Sequence, residues 1–497
     1  MNQFVNKIMH SQYTLAVLFI VLYTLSQAPF MFEFLRWFAL VPLIFVSVDK
    51  RLSIKKSINV VWFGVFGILL IQYIFFLDLL PLDWLGVSNL IIGFFVVLTL
   101  WLIYTFLLSI PGTLLALGRY SPFLFPFLWV LNEYLRSFFY SIVALGPVSS
   151  VGEHFSYSFL AYSSYTSDIL LYIAPYFGAY GLSFIIASGN VVVYFLIRKF
   201  FIEKRVNAIT TLLSFSTLIF IVVVEIIPIP YVPEGEKQLN VLSMQADDIP
   251  LFIYDGKYYK ETSEKYYDSI KNGLEEYPDT DVVLLPEGTR FLTTLSQLRG
   301  VSQKDIAIDV LGTDKYRVIV FGSYETLEGE YRALTLIQSN DINEDVITIH
   351  KNILMPIGEY QPYIMNSGAY LLGGGRWSDL VNEVHAVGEP LEEKKIAYTP
   401  LANFSIVECS EILSSNSYNN ISEADVIFHQ QRLSIFHGKL KTFKHILSIS
   451  QLRAAIARKP VVGSVDGSGF SYSINPYGKI IDIGEQGDSF IYTELTI

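Results

Sequence analysis

The 33-residue stretch from Gly86 to Gly118, GVSNLIIGFFVVLTLWLIYTFLLSIPGTLLALG, contains no Lys, Arg, His, Asp or Glu. A water-exposed helix of this composition would present an uninterrupted apolar surface, whereas a helix that crosses the hydrocarbon core of a bilayer needs about 20 such residues. The stretch therefore predicts a membrane-spanning helix, and it excludes a wholly water-soluble fold for the first half of the chain.

Six runs in the first half are apolar over a spanning length, and one shorter run is a seventh candidate. They fall near Tyr13–Phe30, Ile58–Leu77, Val87–Ile110, Pro122–Leu145, Ile173–Ile197 and Ala208–Ile227, with the shorter run at Leu35–Val48. The first run lacks the small-residue cleavage site of a secretory signal, so we expect it to be retained. Residues 1–228 are therefore predicted to form a polytopic α-helical membrane domain with about seven spans.

Charge divides the chain at the same point. Residues 1–228 hold 12 of the 35 basic and 9 of the 46 acidic residues, which leaves 23 and 37, a net charge of −14, for the remainder. An acidic half without a cluster of basic side chains would repel phosphates, so we expect no nucleic-acid partner.

The only cysteine is Cys409, which excludes internal disulfides and C-x-x-C motifs. The histidines show no metal-ligand spacing, so we expect no metal.

The positive-inside rule gives an orientation for the predicted spans. With seven spans and an inner amino terminus, the inner segments hold ten of the twelve basic residues, namely Lys7, Lys50, Arg51, Lys55, Lys56, Arg119, Arg198, Lys199, Lys204 and Arg205. The outer loops hold the acidic residues Glu33, Asp78, Asp83, Glu153 and Asp168. The rule therefore places the second half of the chain outside the cytoplasm.

The fifth predicted span contains polar residues at helical spacing. Trp129, Glu133 and Arg136 are separated by four and three residues, which places them on one face of a helix. A carboxylate inside a membrane is costly unless it is paired, so the three are candidates for a functional site on the membrane face. A structural Glu133–Arg136 pair near the interface explains the same pattern, and the sequence leaves both interpretations open.

Beyond a linker rich in helix breakers, residues 229–238, short β-rich runs alternate with helical patterns. This alternation predicts an α/β domain over residues 239–497. Polar residues follow three of the predicted strands: Glu287 follows a run that starts at Asp281, Lys351 follows a run that ends at His350, and Cys409 follows a run that ends at Glu408. In α/β folds the chemistry collects beyond the carboxyl ends of strands, so the three side chains are expected to converge.

A carboxylate, an ammonium and a thiol together can form a nucleophile with its base and a cation for the developing oxyanion. Lys351 and a helix that begins after Cys409 would favour the thiolate, which is the attacking form. Taken singly, each residue has an ordinary explanation: a lone cysteine is usually a small buried hydrophobe, and a Glu or Lys after a strand is usually a cap or a surface residue.

The segments around these residues resemble those of the nitrilase (carbon–nitrogen hydrolase) superfamily. LPEG at 285–288 resembles its W-P-E block, HKNILMPIGEYQP at 350–362 its K-x-x-L-V-P-F-G-E-Y-x-P block, and ECSE at 408–411 its C-Y-E block. LRAAIARKPVV at 452–462 and SGFSYSINPYGK at 468–479 are similar to two later stretches, and WVLNEYLR at 129–136 to a W-x-x-x-E-x-x-R membrane helix. With its membrane half, the chain resembles the apolipoprotein N-acyltransferase family over most of its length.

The resemblance implies a nitrilase-like α-β-β-α sandwich over residues 239–497 and ping-pong acyl transfer without a cofactor. It implies Glu287 as general base, Lys351 as oxyanion stabiliser and Cys409 as nucleophile, with Glu359, Glu411 and Tyr360 in support. Cys409 would take an acyl chain from a phospholipid and pass it to the α-amine of a diacylated lipoprotein. The implied setting is a bacterial inner membrane, with the catalytic domain on the extracytoplasmic side of a monomer.

This chain departs from the family pattern near the nucleophile. Ser410 stands where the family commonly has Tyr, Glu408 places an acid before Cys409, and residues 429–438 read HQQRLSIFHG in place of an Asn-Asp-x-Trp-Phe-Gly segment. Two alternatives therefore stay open beside the N-acyltransferase. One is a membrane-anchored amidase or an acyltransferase with another donor or acceptor; the other is an inactive relative that binds lipoproteins.

Overall fold

The structure is a computed structural model of the 497-residue chain. It describes residues 12–30, 32–82, 87, 89–146, 149, 152, 155–203, 208–232, 235–246, 256–327, 330–357, 359–360, 362–364, 367, 396–414, 417 and 421–497. Of the residues singled out above, Lys7, Asp83, Gly86, Glu153, Lys204 and Arg205 lie outside the described part.

The first half of the chain is helical. Its helices are α1 (Gln12–Leu25), α2 (Val41–Val48), α3 (Ile54–Gln72), α4 (Leu90–Ser109), α5 (Phe125–Val143), α6 (Asp168–Ile197) and α7 (Ala208–Ile226). Segments of 3₁₀-helix extend α3 to Leu79 and α4 to Arg119, and a short 3₁₀-helix, Glu33–Trp37, precedes α2. The candidate run Leu35–Val48 is thus divided, and its eight-residue helix is only about 12 Å long.

Three helical segments among the described residues are long and apolar enough to cross a membrane: Ile54–Leu79, Leu90–Arg119 and Asp168–Glu203. Two shorter apolar helices, Gln12–Leu25 and Thr211–Ile226, stand beside them. On α4, Ile91 and Phe95 are 69% and 60% exposed, while Tyr104 on the same helix is buried. A soluble domain rarely exposes so wide an apolar face, so the chain is a membrane protein whose helices face lipid.

The second half is built on twelve strands, β1–β12. They are Gln238–Ala246, Val282–Leu284, Val318–Leu327, Glu330–Ser339, Ile347–His350, Ile396–Tyr398, Asn403–Glu408, Val426–Arg432, Val461–Asp466, Tyr472–Ile474, Ile480–Ile483 and Phe490–Thr496. The helices of this half are α8 (Gly256–Glu276), α9 (Phe291–Arg299), α10 (Gln303–Leu311) and α11 (Leu440–Ala457). The strands run in the order β5-β4-β3-β2-β1-β9-β8-β7-β6, with β12 on β1 and the β10–β11 hairpin on β9.

The strands form two facing sheets that join where β1 pairs with β9. Val241, Val282 and Phe428 point into one core shared by both sheets. The intervening Leu242 and Val283 point to the opposite side, where they pack against α8–α10. Strand residues alternate between two faces, so β1–β3 contribute to both of these cores. The result is the predicted α-β-β-α sandwich, with α11 covering the outer face of β7–β9.

The outer core beneath α11 is continuous with the core of the membrane helices. Hydrogen bonds join the halves at the same place: the Ser156 amide donates to the Leu413 carbonyl at 3.1 Å, and His445 Nε2 lies 2.5 Å from the Tyr157 carbonyl. The Lys479 ammonium pairs with Asp168 at the start of α6. The sandwich is therefore held against one end of the helical bundle.

Candidate active site

Each of the three predicted site residues lies just beyond a strand. Glu287 is the third residue after β2, Lys351 directly follows β5, and Cys409 directly follows β7. Cys409 begins a short helical turn and has a φ of +43°, a left-handed conformation that is unusual for a residue with a side chain. A residue keeps such a strained backbone only where the surrounding structure holds it in place. At Cys409 this backbone conformation sets the direction in which the thiol points.

The Lys351 ammonium lies between two carboxylates. Its Nζ is 2.7 Å from Glu287 Oε1 and 2.8 Å from Glu359 Oε1, and its side chain is 1% exposed. Burial opposes the charge of Lys351, but the carboxylates of Glu287 and Glu359 raise its pKa well above the usual value. The lysine is therefore a fixed cation, and two of its three N–H groups point to carboxylates.

The Cys409 thiol is protonated in this environment. Burial and the Glu287 carboxylate raise its pKa, and the opposing effects of Lys351 and of the Arg432 backbone amide are smaller. This corrects the expectation that Lys351 and the following helix would produce a resting thiolate. The physical reason is that burial of the thiol and the nearby Glu287 carboxylate outweigh Lys351, whose charge also faces Glu287 and Glu359.

Replacing Glu287 with glutamine should shift the pH profile of Cys409 alkylation by iodoacetamide to lower pH. The substitution removes a negative charge that raises the thiol pKa, so the thiolate fraction at a given pH increases. The measurement is the rate of mass addition against pH in wild-type and Glu287→Gln protein, with Glu275→Gln on the exposed face of α8 as the matched control. A pH profile that is unchanged or shifted to higher pH in the Glu287 variant would contradict this electrostatic description.

Two further predicted residues brace the loops that carry the site. One Glu411 oxygen accepts from the backbone amides of Asn352 and Ile353 at 2.9 and 3.0 Å, and the other accepts from the Glu408 amide at 2.9 Å. Glu411 thus ties the loop after Lys351 to the turn at Cys409. Tyr360 donates a hydrogen bond of 2.7 Å to the Ala144 carbonyl at the end of α5, which ties the same loop to the membrane helices.

His429, at the centre of β8, contacts the backbone of Cys409. His429 Nε2 donates to the Cys409 carbonyl at 3.1 Å, and Nδ1 accepts from the Tyr472 hydroxyl at 2.7 Å. Burial lowers the pKa of His429 to about 4, so the ring is neutral. The sequence marked this stretch only as a departure from the family pattern and did not predict its contact with Cys409.

An apolar cavity of about 180 Å³ joins the three residues to the membrane helices. Glu287, Lys351 and Cys409 are among the residues that line it. The lining also includes aromatic side chains from the membrane half, namely Phe75, Phe76, Tyr104, Tyr140, Phe155 and Tyr157. These rings are spread over four separate segments of the chain, so no local pattern could have predicted that they line the site.

Trp129, Glu133 and Arg136 are not among the described residues that line this cavity. Glu133 Oε1 accepts from Trp129 Nε1 at 2.9 Å and from the Leu160 amide at 2.7 Å, while Arg136 donates to the Ser158 carbonyl at 2.7 Å. All three side chains are buried, and Glu133 and Arg136 bind backbone groups of the loop that contacts the sandwich at Ser156 and Tyr157. These contacts are with the loop and not between Glu133 and Arg136, so the functional and the structural interpretation both stay predictions. Within the described ranges, no group of three or more His, Cys, Asp or Glu side chains is placed to bind a metal ion.

Comparisons with known proteins agree with this architecture. Residues 21–192 match the apolipoprotein N-acyltransferase N-terminal domain. The chain is 26% identical over 245 residues to apolipoprotein N-acyltransferase of Geobacter metallireducens, a match that covers 48% of the chain and 43% of that protein. It is 22% identical to the Haemophilus influenzae apolipoprotein N-acyltransferase over 99% of the chain and 90% of that protein.

Among solved structures, Saccharomyces cerevisiae Nit3 of the nitrilase superfamily aligns with a TM-score of 0.38 at 15% identity, over 53% of this chain and 91% of Nit3. A carbon–nitrogen hydrolase from Helicobacter pylori aligns with a TM-score of 0.39 at 12% identity, over 52% and 89%. The match over residues 21–192 and the similarity along the chain confirm the resemblance found in the sequence. The chain is thus similar to the bacterial apolipoprotein N-acyltransferases, with a match to their N-terminal domain over residues 21–192 and an α-β-β-α sandwich in its second half.

Proposed function

We propose that this protein is a membrane N-acyltransferase that moves a fatty acyl chain from a phospholipid, through a thioester on Cys409, to the α-amine of a lipoprotein's diacylglyceryl-cysteine. The observation that carries the proposal is the shared cavity. Its lining combines a carboxylate, an ammonium and a thiol with aromatic rings from the membrane half of the chain. Lipid substrates can reach such a cavity by diffusion within the bilayer.

In the first half-reaction, Cys409 Sγ attacks the carbonyl carbon of a phospholipid ester while Glu287 accepts the thiol proton. The third N–H of the Lys351 ammonium, which neither carboxylate occupies, donates to the developing oxyanion. The carbon–oxygen bond to the glycerol breaks, and Glu287 returns the proton to the leaving lysophospholipid. No cofactor is required, because the thioester conserves the reactivity of the ester.

In the second half-reaction, the lipoprotein amine attacks the thioester carbonyl. Glu287 accepts a proton from the amine and returns it to the departing Cys409 sulfur, so an amide forms and the free thiol is restored. The buried position of Lys351 and the apolar lining keep the oxyanion site dry, which strengthens its electrostatic contribution. An apolar cavity also limits hydrolysis of the thioester by water.

We place the sandwich outside the cytoplasm. The Tyr73–Leu79 extension of α3 packs against residues Ser434–Phe436 of the sandwich, so the start of α3, beside Lys55 and Lys56, lies at the far end of the bundle. Likewise α6 begins at Asp168 beside the sandwich and ends next to Arg198. Basic residues at the far end agree with a cytoplasmic location for that end.

Single cysteines introduced into Cys409→Ala protein should report this orientation. Both Lys55 and Glu275, on the exposed face of α8, are exposed to solvent. A membrane-impermeant maleimide should label Glu275→Cys in intact spheroplasts and Lys55→Cys only after lysis. Labelling of Lys55→Cys in intact spheroplasts would contradict the proposed orientation.

The acceptor assignment is tested by supplying purified protein with a defined phospholipid and a synthetic diacylglyceryl-cysteine peptide. The proposed function predicts a triacylated peptide, with the new chain on the amine. Release of free fatty acid at the same rate with and without peptide would instead favour a hydrolase. A binding relative without turnover would give neither product.

A further inference from the structure

A second, smaller cavity lies between the membrane helices and α11. Its volume is about 30 Å³, and its walls come from the end of α1 and the residues that follow it, the end of α3, Tyr157 and the first turns of α11. Among the described residues, Tyr157 is the only one that lines both this cavity and the catalytic one. The two cavities are therefore distinct sites on the same junction between the bundle and the sandwich.

The wall of the second cavity contains a buried amide without a protein partner. Gln27 is 2% exposed, and neither its side-chain oxygen nor its side-chain nitrogen has a hydrogen-bond partner in the described part of the chain. The buried hydroxyl of Thr24, one turn earlier on the same wall, has none there either. Such groups are rare, because each costs the free energy of its lost hydrogen bonds to water. Both residues thus indicate a bound polar group that supplies the missing partners.

Positive charge faces the same cavity. The Lys441 ammonium lies 5.6 Å from the centre of the Phe30 ring, and within the described ranges it forms no ion pair. Burial lowers the pKa of Lys441, and the charge of Asp78 only partly offsets this effect. Lys441 is the second residue of α11, and Lys439, which precedes the helix, provides no side-chain cap for its first amides. The lysine and the positive end of an 18-residue helix together favour an anion here.

The cavity lies at the end of an apolar strip on α1. Tyr13, Val17 and Val21 are each about half exposed and follow one another at intervals of four, so they share one face of the helix. Thr24 lies one turn beyond Val21, at the end of α1 that meets the sandwich. An acyl chain that lies along this strip therefore brings its headgroup to the cavity.

We propose that this cavity binds the phosphate of a bilayer phospholipid that is not the acyl donor and that joins α1 to α11. A phosphate offers several acceptor oxygens, which suit the Lys441 ammonium, the Gln27 side-chain nitrogen and the Thr24 hydroxyl. The bound lipid braces α11 at its first turn, where the next residue, Thr442, lines the catalytic cavity. The inference depends on the membrane location of the chain and not on the proposed acyl transfer.

The test uses a diether phosphatidylglycerol, whose alkyl chains carry no ester for Cys409 to attack. The thermal unfolding midpoint of the full-length protein in detergent is measured against ligand concentration, because a ligand that binds only the folded state raises it. Inorganic phosphate and the matching dialkylglycerol without phosphate are measured in the same way. We expect the diether phospholipid to bind more tightly than either, and Lys441→Gln to weaken its binding by roughly tenfold or more.

Gln27→Leu gives an independent measurement. The substitution removes an amide that has no partner, so without lipid the variant should unfold at the same temperature as the wild type or higher. Its stabilisation by the diether phospholipid should nevertheless be smaller than that of the wild type. Undiminished stabilisation of this variant by the lipid would contradict a role for Gln27 in binding.

Lys444→Gln is the matched control for Lys441→Gln, because Lys444 is exposed on the same helix and does not line the cavity. It should bind the diether phospholipid as the wild type does. Binding of the lipid in the catalytic cavity is common to all these proteins and cancels in the comparison. Equal affinity of the wild type and Lys441→Gln for the lipid would overturn the inference. Inorganic phosphate that stabilises the wild type as strongly as the lipid would overturn the assignment to a lipid.

Discussion

Replacing Cys409 with alanine should abolish both thioester formation and acyl transfer, with a loss of roughly a thousandfold or more. The sulfur is the only nucleophile of its kind in the chain, and its position is fixed by the left-handed backbone at residue 409. Product formation with phospholipid and lipopeptide, measured by mass spectrometry, checks this prediction.

The Cys409→Ala protein should remain folded, because the change removes a single sulfur that faces a cavity. Its thermal unfolding midpoint in detergent should therefore stay close to that of the wild type. A matched control is Ser410→Ala, the adjacent residue that also lines the cavity and has no proposed chemical role. Transfer at near wild-type rates by Cys409→Ala would exclude the thioester mechanism.

Replacing Lys351 with methionine should reduce the rate of acylation by a hundredfold or more, the usual order of loss for an oxyanion donor. The same change leaves Glu287 and Glu359 as two buried carboxylates without their shared cation. Removing one partner of a buried pair costs about 3–5 kcal/mol, so the unfolding midpoint should fall as well. Thioester accumulation after phospholipid addition and thermal unfolding measure the two effects.

Lys315→Met is the matched control for this variant. Lys315 also pairs with a carboxylate, Asp281, but its side chain is 34% exposed, so the pair contributes little to stability. We expect the control to retain wild-type kinetics and a nearly unchanged midpoint. Near-normal acylation by Lys351→Met would show that the oxyanion is stabilised by another group.

The sequence predicted the architecture because its physical signals are local. Uncharged apolar runs mark the membrane helices, and short β-rich runs between helical patterns mark the strands that Glu287, Lys351 and Cys409 follow. Strand β11, Ile480–Ile483, was missed because all four residues are exposed and show no alternation. The two nine-residue helices α9 and α10 were also missed, although α10 carries a capping box between Ser302 and Asp305 that the sequence displays.

The electrostatics of the site depend on contacts that the sequence does not show. The sequence suggested a thiolate, since a lysine was expected beside Cys409, but burial and the balance of Lys351 by two carboxylates determine the protonation state. The contact of His429 with the Cys409 carbonyl was missed because His429 lies in a stretch where the chain departs from the family pattern. This contact arises only when β7 and β8 pair in the fold.

The most direct measurement is the mass of the Cys409-containing peptide after the protein has been incubated with dipalmitoyl phosphatidylglycerol alone. The account predicts a palmitoyl adduct on Cys409 that is removed by neutral hydroxylamine and by a diacylglyceryl-cysteine peptide, and that is absent from Cys409→Ala protein. An unmodified Cys409 in protein that nevertheless transfers the acyl chain to the peptide would contradict the account.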